Sequence, residues 1–308
     1  MSDKTMDVRG RFAPSPTGQL HLGNACTALL AWLWSRSRGG DHLLRIEDID
    51  TPRVRPGMAE QQMEELRWLG LGWDGEPVFQ SQRTALYEEA LRRLGDHVYE
   101  CFCSRAEIAR AASAPHGDEG PRYPGTCAAL GPGERARRRA VRPPSLRLRV
   151  PPGSLAFHDR ILGPQAFDTQ KLVGDFVLRR ADGIFAYQLA VVVDDAAMGI
   201  THVLRGADLL PSTARQILLH RLLGGREPEF AHAPLVLGPS GERLSKRDKS
   251  LSLSALRARG ADPRQIVAHL ARLSGLHAPE RCSAQELLGD FSLSKVPRHP
   301  VAIGALPG

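Results

Sequence analysis

Pro14 and Pro16, inside the run Arg11-Phe12-Ala13-Pro14-Ser15-Pro16-Thr17-Gly18-Gln19-Leu20-His21-Leu22-Gly23-Asn24, constrain the fold more than any other feature of this chain. Proline removes an amide donor, fixes φ and drives the preceding residue out of the helical region, so no helix can begin until Gly18 has passed. Residues 8–13 before the prolines read as a short strand. From 21 to 38 apolar residues recur at helical spacing (Ala25, Leu29, Leu33), and Gly39-Gly40 supplies the stop. The pattern is strand, stiff turn, helix. It continues with a strand over 42–47, a helix over 57–69 ended by Gly70, and a helix over 81–94 ended by Gly95. Strands alternating with helices predict an α/β fold, a parallel sheet with crossover helices.

From about residue 99 the texture changes. A Gly/Pro/Arg-rich stretch fills 114–144, Leu alternates with Arg over 145–150, and 175–187 reads as a hairpin turning at Ala181-Asp182-Gly183. Residues 96–187 are therefore expected to form an inserted, partly antiparallel unit, dividing a domain built from 1–95 and 188–240. Within the second half, 200–205 reads as a strand, 211–223 as a helix with Pro211 in its first turn, and 235–237 as a strand. Residues 241–308 hold a basic loop and a short helical C-terminal region. Its best helix is 262–274, where Asp262 caps and Pro263 takes the first helical position.

The chain has 308 residues, 42% of them hydrophobic, enough for a proper core. No apolar run approaches the ~20 residues that span a bilayer. The start, Met1-Ser2-Asp3-Lys4-Thr5, has no secretory pattern, so a soluble, cytoplasmic protein without a membrane is expected. Lys and Arg number 41 against 34 acidic residues, a net charge of +7, with a dense run at Arg135, Arg137, Arg138, Arg139 and Arg142. Such a balance suits a polyanionic partner and equally an Arg-rich proteome, so charge alone does not choose. The five cysteines are an odd number, which argues against a disulfide framework. Cys101, Cys103 and Cys127 crowd together and point to metal, whereas Cys26 and Cys282 read as packing residues. No G-x-x-x-x-G-K-[ST] occurs, which excludes a P-loop kinase.

The helix start at His21–Asn24 offers unpaired N–H groups and positive dipole to an anion. Gly23 lets a nucleotide approach the backbone, and His21 can donate to a phosphoryl oxygen as charge develops. This stretch resembles the HIGH signature of class I aminoacyl-tRNA synthetases in its glutamyl version. His21-Leu22-Gly23-Asn24 stands for His-Ile-Gly-His with the final His absent, and Arg11–Gly18 matches the glutamyl branch. Arg243-Leu244-Ser245-Lys246-Arg247 is similar to the second signature, Lys-Met-Ser-Lys-Ser, with Arg243 for the first Lys and Arg247 for the last Ser. The resemblance covers roughly residues 8 to 250. It implies a Rossmann-like parallel-sheet class I synthetase catalytic domain with a zinc-containing insert. ATP, with Mg2+, is then expected at His21, Gly23, Asn24, Arg243, Ser245 and Lys246, with His21 and Lys246 catalytic. Glutamate is expected at Arg11, Phe12, Ala13, Pro14, Ser15, Glu47, Tyr187 and Arg205. In this assignment Arg11 pairs with the side-chain carboxylate, and Glu47, at a strand's carboxyl end, takes the α-amino group. A Tyr hydroxyl and an Arg suit a dicarboxylic amino acid, whose charges demand donors when desolvated.

Three cysteines need a fourth ligand for a structural Zn2+, one per chain. The resemblance to short glutamyl-synthetase paralogues implies Tyr123, in Tyr123-Pro124-Gly125-Thr126-Cys127. His116 is the conventional chemical alternative. Too little chain follows the signature loop for an anticodon-binding domain, which also suggests the short paralogues, the glutamyl-queuosine tRNA(Asp) synthetase family. That family activates L-glutamate without tRNA and esterifies it to queuosine at the wobble position of tRNA(Asp). A monomer is expected. The alternatives are conventional charging of a tRNA 3′ end, a nucleotidyltransferase of the wider superfamily, and a non-catalytic zinc-containing RNA-binding relic.

Overall fold

The computed structural model describes residues 7–104, 106–108, 123–238, 241–242 and 251–304. Five parallel strands make the central sheet: β1 (Arg9–Phe12), β2 (Asp41–Ile46), β3 (Val78–Phe79), β9 (His202–Gly206) and β10 (Glu229–Ala233), in the order β10-β9-β1-β2-β3. The helices that return the chain between them are α1 (Leu22–Arg36), α2 (Met58–Trp68) and α6 (Leu210–Leu222). Neighbouring residues of one strand point to opposite faces. Leu204 and Ala231 accordingly join the apolar cluster of α1 and α2, while Val203 and Phe230 join the cluster of α3 (Thr84–Leu94), α5 (Tyr187–Ala197) and α6. The sheet is thus covered on both sides, as parallel sheets must be. Helix α1 is buried on nearly all its faces because α8 (Pro263–Leu273) packs on the side away from the sheet. Cys26 and Cys282 both lie in that cluster, as packing residues.

Between α3 and α5 the chain forms antiparallel structure. Strands β4 (Val98–Cys101), β5 (Ser145–Leu148) and β8 (Phe176–Arg179) make one three-stranded sheet, and β6 (Ser154–Asp159) pairs with β7 (Gly163–Asp168) as a hairpin. Two local expectations need correction. The Gly/Pro/Arg-rich stretch contains a helix, α4 (Pro132–Val141), started by Pro132 and braced by Glu134 pairing with Arg137 and Arg138. The hairpin over 175–187 is cut short: β8 pairs with β5, Phe185 makes a single bridge to Arg179, and Tyr187 opens α5. The run Val191-Val192-Val193 has strand propensity yet is helical, because burial of Val191 and Val192 overrides it. Strand β10 was not expected either.

The C-terminal region adds α7 (Leu253–Ala258), capped by Ser252, then α8, capped by Asp262, and β12 (Val301–Ala302), which pairs with β11 (Val236–Leu237). Among the described residues no helix is long and apolar enough to cross a membrane.

Candidate active site

In the sheet the chain steps outward from β1 to β2 and β3 on one side, and from β9 to β10 on the other. The order reverses between β1 and β9, and ligands in open α/β sheets bind outside the carboxyl ends of the strands at that point. A cleft of about 670 Å³ lies there. It is lined by Arg11, Phe12, Ala13, Pro14 and Ser15 after β1, by His21, Gly23 and Asn24 at the start of α1, and by Glu47, Tyr187 and Arg205. All expected amino-acid residues and the described part of the expected nucleotide residues therefore meet in one cavity. Arg243, Ser245, Lys246 and Arg247 lie outside the described residues, as does His116.

His21 is the N-cap of α1. Its Nδ1 accepts from the Asn24 amide at 3.3 Å, while its own amide donates to Asn24 Oδ1 at 3.2 Å. An Nδ1 that accepts leaves the proton of a neutral imidazole on Nε2, the tautomer able to donate to an anion. Asn24, where the HIGH signature has His, thus closes the capping box. A Cβ at Gly23 would meet His21 Cε1 and Nδ1 at 3.1 Å, so any side chain there would press on the imidazole and shift it by a few tenths of an ångström.

The other wall is a set of buried charges. Arg45 donates to Asp195 Oδ1 at 2.5 Å through Nη1 and to Glu47 Oε1 at 3.2 Å through Nη2; Arg11 Nε reaches the same Asp195 oxygen at 3.4 Å. All four side chains are at most 8% exposed. Burial pushes the Asp195 carboxyl up, but Arg45 and Arg11 together hold it below the usual range. Burial dominates at Glu47 and raises its pKa despite the same two arginines. Arg205 is different. It donates to His232 Nε2 (3.1 Å), Gln216 Oε1 (2.7 Å), Thr213 Oγ1 (2.7 Å) and Tyr187 Oη (3.4 Å). Every acceptor is neutral, and no described carboxylate pairs with this buried cation, whose pKa burial lowers. A buried charge without a counterion is costly, so the site is built for an anion that arrives from the cleft.

A second cavity of about 770 Å³ adjoins the first, sharing Ser15, Glu47, Asp50, Arg53 and Tyr187 with it. Its far walls come from the antiparallel sheets and the end of α4: Phe102, Arg142, Arg147, Arg180 and Asp182. Arg180 bridges Asp50 (3.2 Å) and Asp182 (2.5 Å) at the junction. Sequence reasoning missed Asp50, Arg53 and Asp208 of the cleft; Asp50 stood in plain view three residues after Glu47.

Cys101, Cys103 and Cys127 border this region, with sulfurs all within 4.8 Å of one another. Cys103 Sγ lies 3.6 Å from Cys127 Sγ and 3.8 Å from Tyr123 Oη. Sulfurs at tetrahedral corners around zinc stand about 3.8 Å apart for bonds of about 2.3 Å. The triad can hold a metal ion, with the Tyr123 hydroxyl within reach as a further oxygen donor.

Residues 7–302 match the family of class I tRNA synthetases (E and Q), catalytic domain. The chain is 55% identical to a glutamyl-Q tRNA(Asp) synthetase of Symbiobacterium thermophilum, over 96% of both chains. It is 48% identical to a glutamyl-Q tRNA(Asp) synthetase of Nitratidesulfovibrio vulgaris, over 97% of this chain and 96% of the relative. Among solved structures it superposes on a glutamate-tRNA synthetase from Elizabethkingia anophelis with a TM-score of 0.85 and 32% identity, covering 97% of this chain and 68% of the other.

Proposed function

The chain belongs to the class I tRNA synthetases of the glutamate and glutamine type, and on that premise we propose that it activates L-glutamate with ATP and passes the glutamyl group to queuosine of tRNA(Asp). The observation that carries the first step is the pair of arginines, Arg11 and Arg205, facing the same cleft as Glu47 and the capped His21. In this reading Arg11 takes the side-chain carboxylate, Glu47 the ammonium group, and Arg205 with Tyr187 supplies the remaining positive wall. An oxygen of the glutamate α-carboxylate attacks the α-phosphorus of ATP, the bond to the β-phosphate breaks, and pyrophosphate leaves. No nucleophilic side chain is needed. Positioning and charge stabilisation do the work, with His21 Nε2–H and the ammonium of Lys246 on the phosphates and Mg2+ accompanying ATP. Lys246 is supported by the chain on either side of 243–250: Val236 lines the cleft beside Gly23, and Ser252 bridges His21.

The second step follows from the adjoining cavity, which we assign to the acceptor nucleoside. A hydroxyl placed there attacks the acyl carbon, AMP leaves, and an ester forms. Helix α4 ends at that cavity with Arg142, and its exposed arginines suit the RNA backbone. The choice of queuosine rests on relatives of that name that match over nearly their whole length. Zinc on Cys101, Cys103, Cys127 and Tyr123 would tie down the same wall.

The test is amino-acid-dependent ATP–pyrophosphate exchange, with and without tRNA, followed by transfer to tRNA(Asp) whose 3′ end has been oxidised by periodate. Exchange with glutamate and not glutamine, in the absence of tRNA, together with transfer to the oxidised tRNA, is the expected result. Exchange only with tRNA(Glu), or transfer abolished by periodate, would make the chain a conventional charging enzyme. RNA binding with no exchange would make it a non-catalytic relic.

A further inference from the structure

Behind Arg205 lies a buried pair that does not line the cleft. Asp159 ends β6, on the antiparallel hairpin, and its side chain is fully buried against His232 of β10. Asp159 Oδ2 stands 2.6 Å from His232 Nδ1. The other carboxylate oxygen accepts three amides, from Ile161 (3.0 Å), Leu162 (2.8 Å) and His232 itself (3.2 Å). A carboxylate held by three N–H groups is ionised and immobile, and burial keeps His232 neutral although Asp159 opposes that. The single imidazole proton must then sit on Nδ1, facing Asp159.

That leaves Nε2 as a lone pair, and Arg205 Nε donates to it at 3.1 Å. Thr213 Oγ1 stands 3.0 Å from the same nitrogen and accepts from Arg205 Nη2 at 2.7 Å. His232, Thr213 and two edges of the guanidinium therefore close a ring, and the ring closes only for one tautomer. With the proton on Nε2, two N–H groups would point at each other and the guanidinium would be pushed from its seat.

We propose that Asp159 and His232 are positioning residues for glutamate recognition: Asp159 fixes the His232 tautomer, and His232 fixes the plane of Arg205. The proposal rests on the reading of Arg205 as a glutamate contact. It gives the antiparallel hairpin a part in amino-acid binding, because Asp159 belongs to that hairpin and Arg205 to the parallel sheet.

The experiment is a cycle of Asp159→Asn, His232→Gln and the double variant. Exchange kinetics give KM for glutamate and for ATP, and calorimetry gives glutamate affinity. In Asp159→Asn the amide donates to Nδ1 and drives the proton to Nε2, the same fault that disables a catalytic His when its Asp partner is amidated. Glutamate KM and Kd should rise about ten- to a hundred-fold, the range for a lost hydrogen bond to a charged group, with KM for ATP nearly unchanged. The Gln carbonyl of His232→Gln stands near the place of Nε2 and accepts without a tautomer. That variant should retain near-normal glutamate KM, and adding Asp159→Asn to it should cost little further. A merely structural pair would instead give losses in melting temperature that add, with no rescue. The proposal is overturned if Asp159→Asn leaves glutamate KM within twofold of the parent, or if His232→Gln does not rescue it. If Asp159→Asn does not fold, His232→Leu compared with His232→Gln decides: the Leu variant, which offers Arg205 no acceptor, should raise glutamate KM about tenfold while the Gln variant does not, and equal KM values in the two overturn the proposal. Absence of glutamate-dependent exchange and glutamate binding in the parent protein would sink the functional reading, a result distinct from all of these.

Discussion

Asp195→Asn separates the charges of the cleft floor from their shape. The substitution keeps volume and one carbonyl acceptor but removes the carboxylate that Arg45 holds at 2.5 Å and Arg11 at 3.4 Å. Arg45 is completely buried, its Nε already lacks a partner among the described residues, and of its two directly paired carboxylates only Glu47 would remain, with Asp194 acting from farther away. Breaking a buried pair from one side costs about 3–5 kcal/mol, and the retained acceptor puts this case near the lower end. For a chain of 308 residues about 3 kcal/mol lowers the melting temperature by roughly 5 °C. Arg11 loses its anchor as well, so glutamate KM should rise about tenfold, some 1.4 kcal/mol. The pH dependence has a definite sign. The folded-state pKa of Asp195 is depressed, so its contribution is fully present above the unfolded value near about pH 4 and is lost as pH falls through the lower folded value. The melting gap between parent and variant should therefore be constant near neutrality and close in acid. Thermal melts across pH and exchange kinetics measure both quantities. A variant that melts within about 2 °C of the parent at neutral pH, with unchanged glutamate KM, would refute the claim that this carboxylate organises the two arginines.

Two further outcomes follow from the wall around the second cavity. Cys103→Ser should lose one equivalent of zinc by elemental analysis and lower the melting temperature. It should impair transfer to RNA far more than pyrophosphate exchange, since Cys103 lines the second cavity and not the first; parent protein purified without zinc would remove the assignment. Replacing Arg137, Arg138 and Arg139 together by Ala should weaken RNA binding and lower the slope of log affinity against log salt by about 2, as three released counterions require. The arginines of the existing pairs with Glu134 and Glu100 are 38–79% exposed, so these pairs are worth little and do not withhold them from a phosphate; an unchanged slope would place the RNA elsewhere.

How far the site could be read in advance depended on whether a residue's role is local. Pro14, Pro16 and Gly23 act through backbone geometry, so strand, turn and helix start were legible, and with them the cleft. Asn24 looked like a defect in a signature, yet its role as cap partner lies only three residues from His21 and could have been read from capping rules. Arg45 and Asp195 are 150 positions apart and Asp159 and His232 are 73 apart. Nothing in a strand or helix pattern says that such residues will meet. Asp195 closes a β-branched run and Arg45 follows two leucines, so both read as edges of apolar segments. Helix α4 was hidden differently: its stability comes from Pro132 at the start and charge pairs along the surface, with no buried stripe to give it a period.

The charges at the floor of the cleft also explain why glutamate, and not its amide, should be the substrate. Among the described residues in direct contact, Arg11, Arg45 and Arg205 have only two carboxylates, Asp195 and Glu47, so this contact set carries a surplus of one positive charge when both are ionised; Asp159 lies behind the His232 ring and touches none of the three. Glutamate carries one net negative charge, and its ammonium group beside Glu47 favours the ionised form that burial otherwise opposes. Its entry therefore cancels the surplus. Glutamine is net neutral, so the surplus would persist in a desolvated site, where an uncompensated charge costs several kcal/mol. The cations proposed to select glutamate are already seated, Arg45 and Arg11 by Asp195 and Arg205 by His232, Thr213 and Gln216. A site assembled in this way has no reason to wait for tRNA before it activates its amino acid.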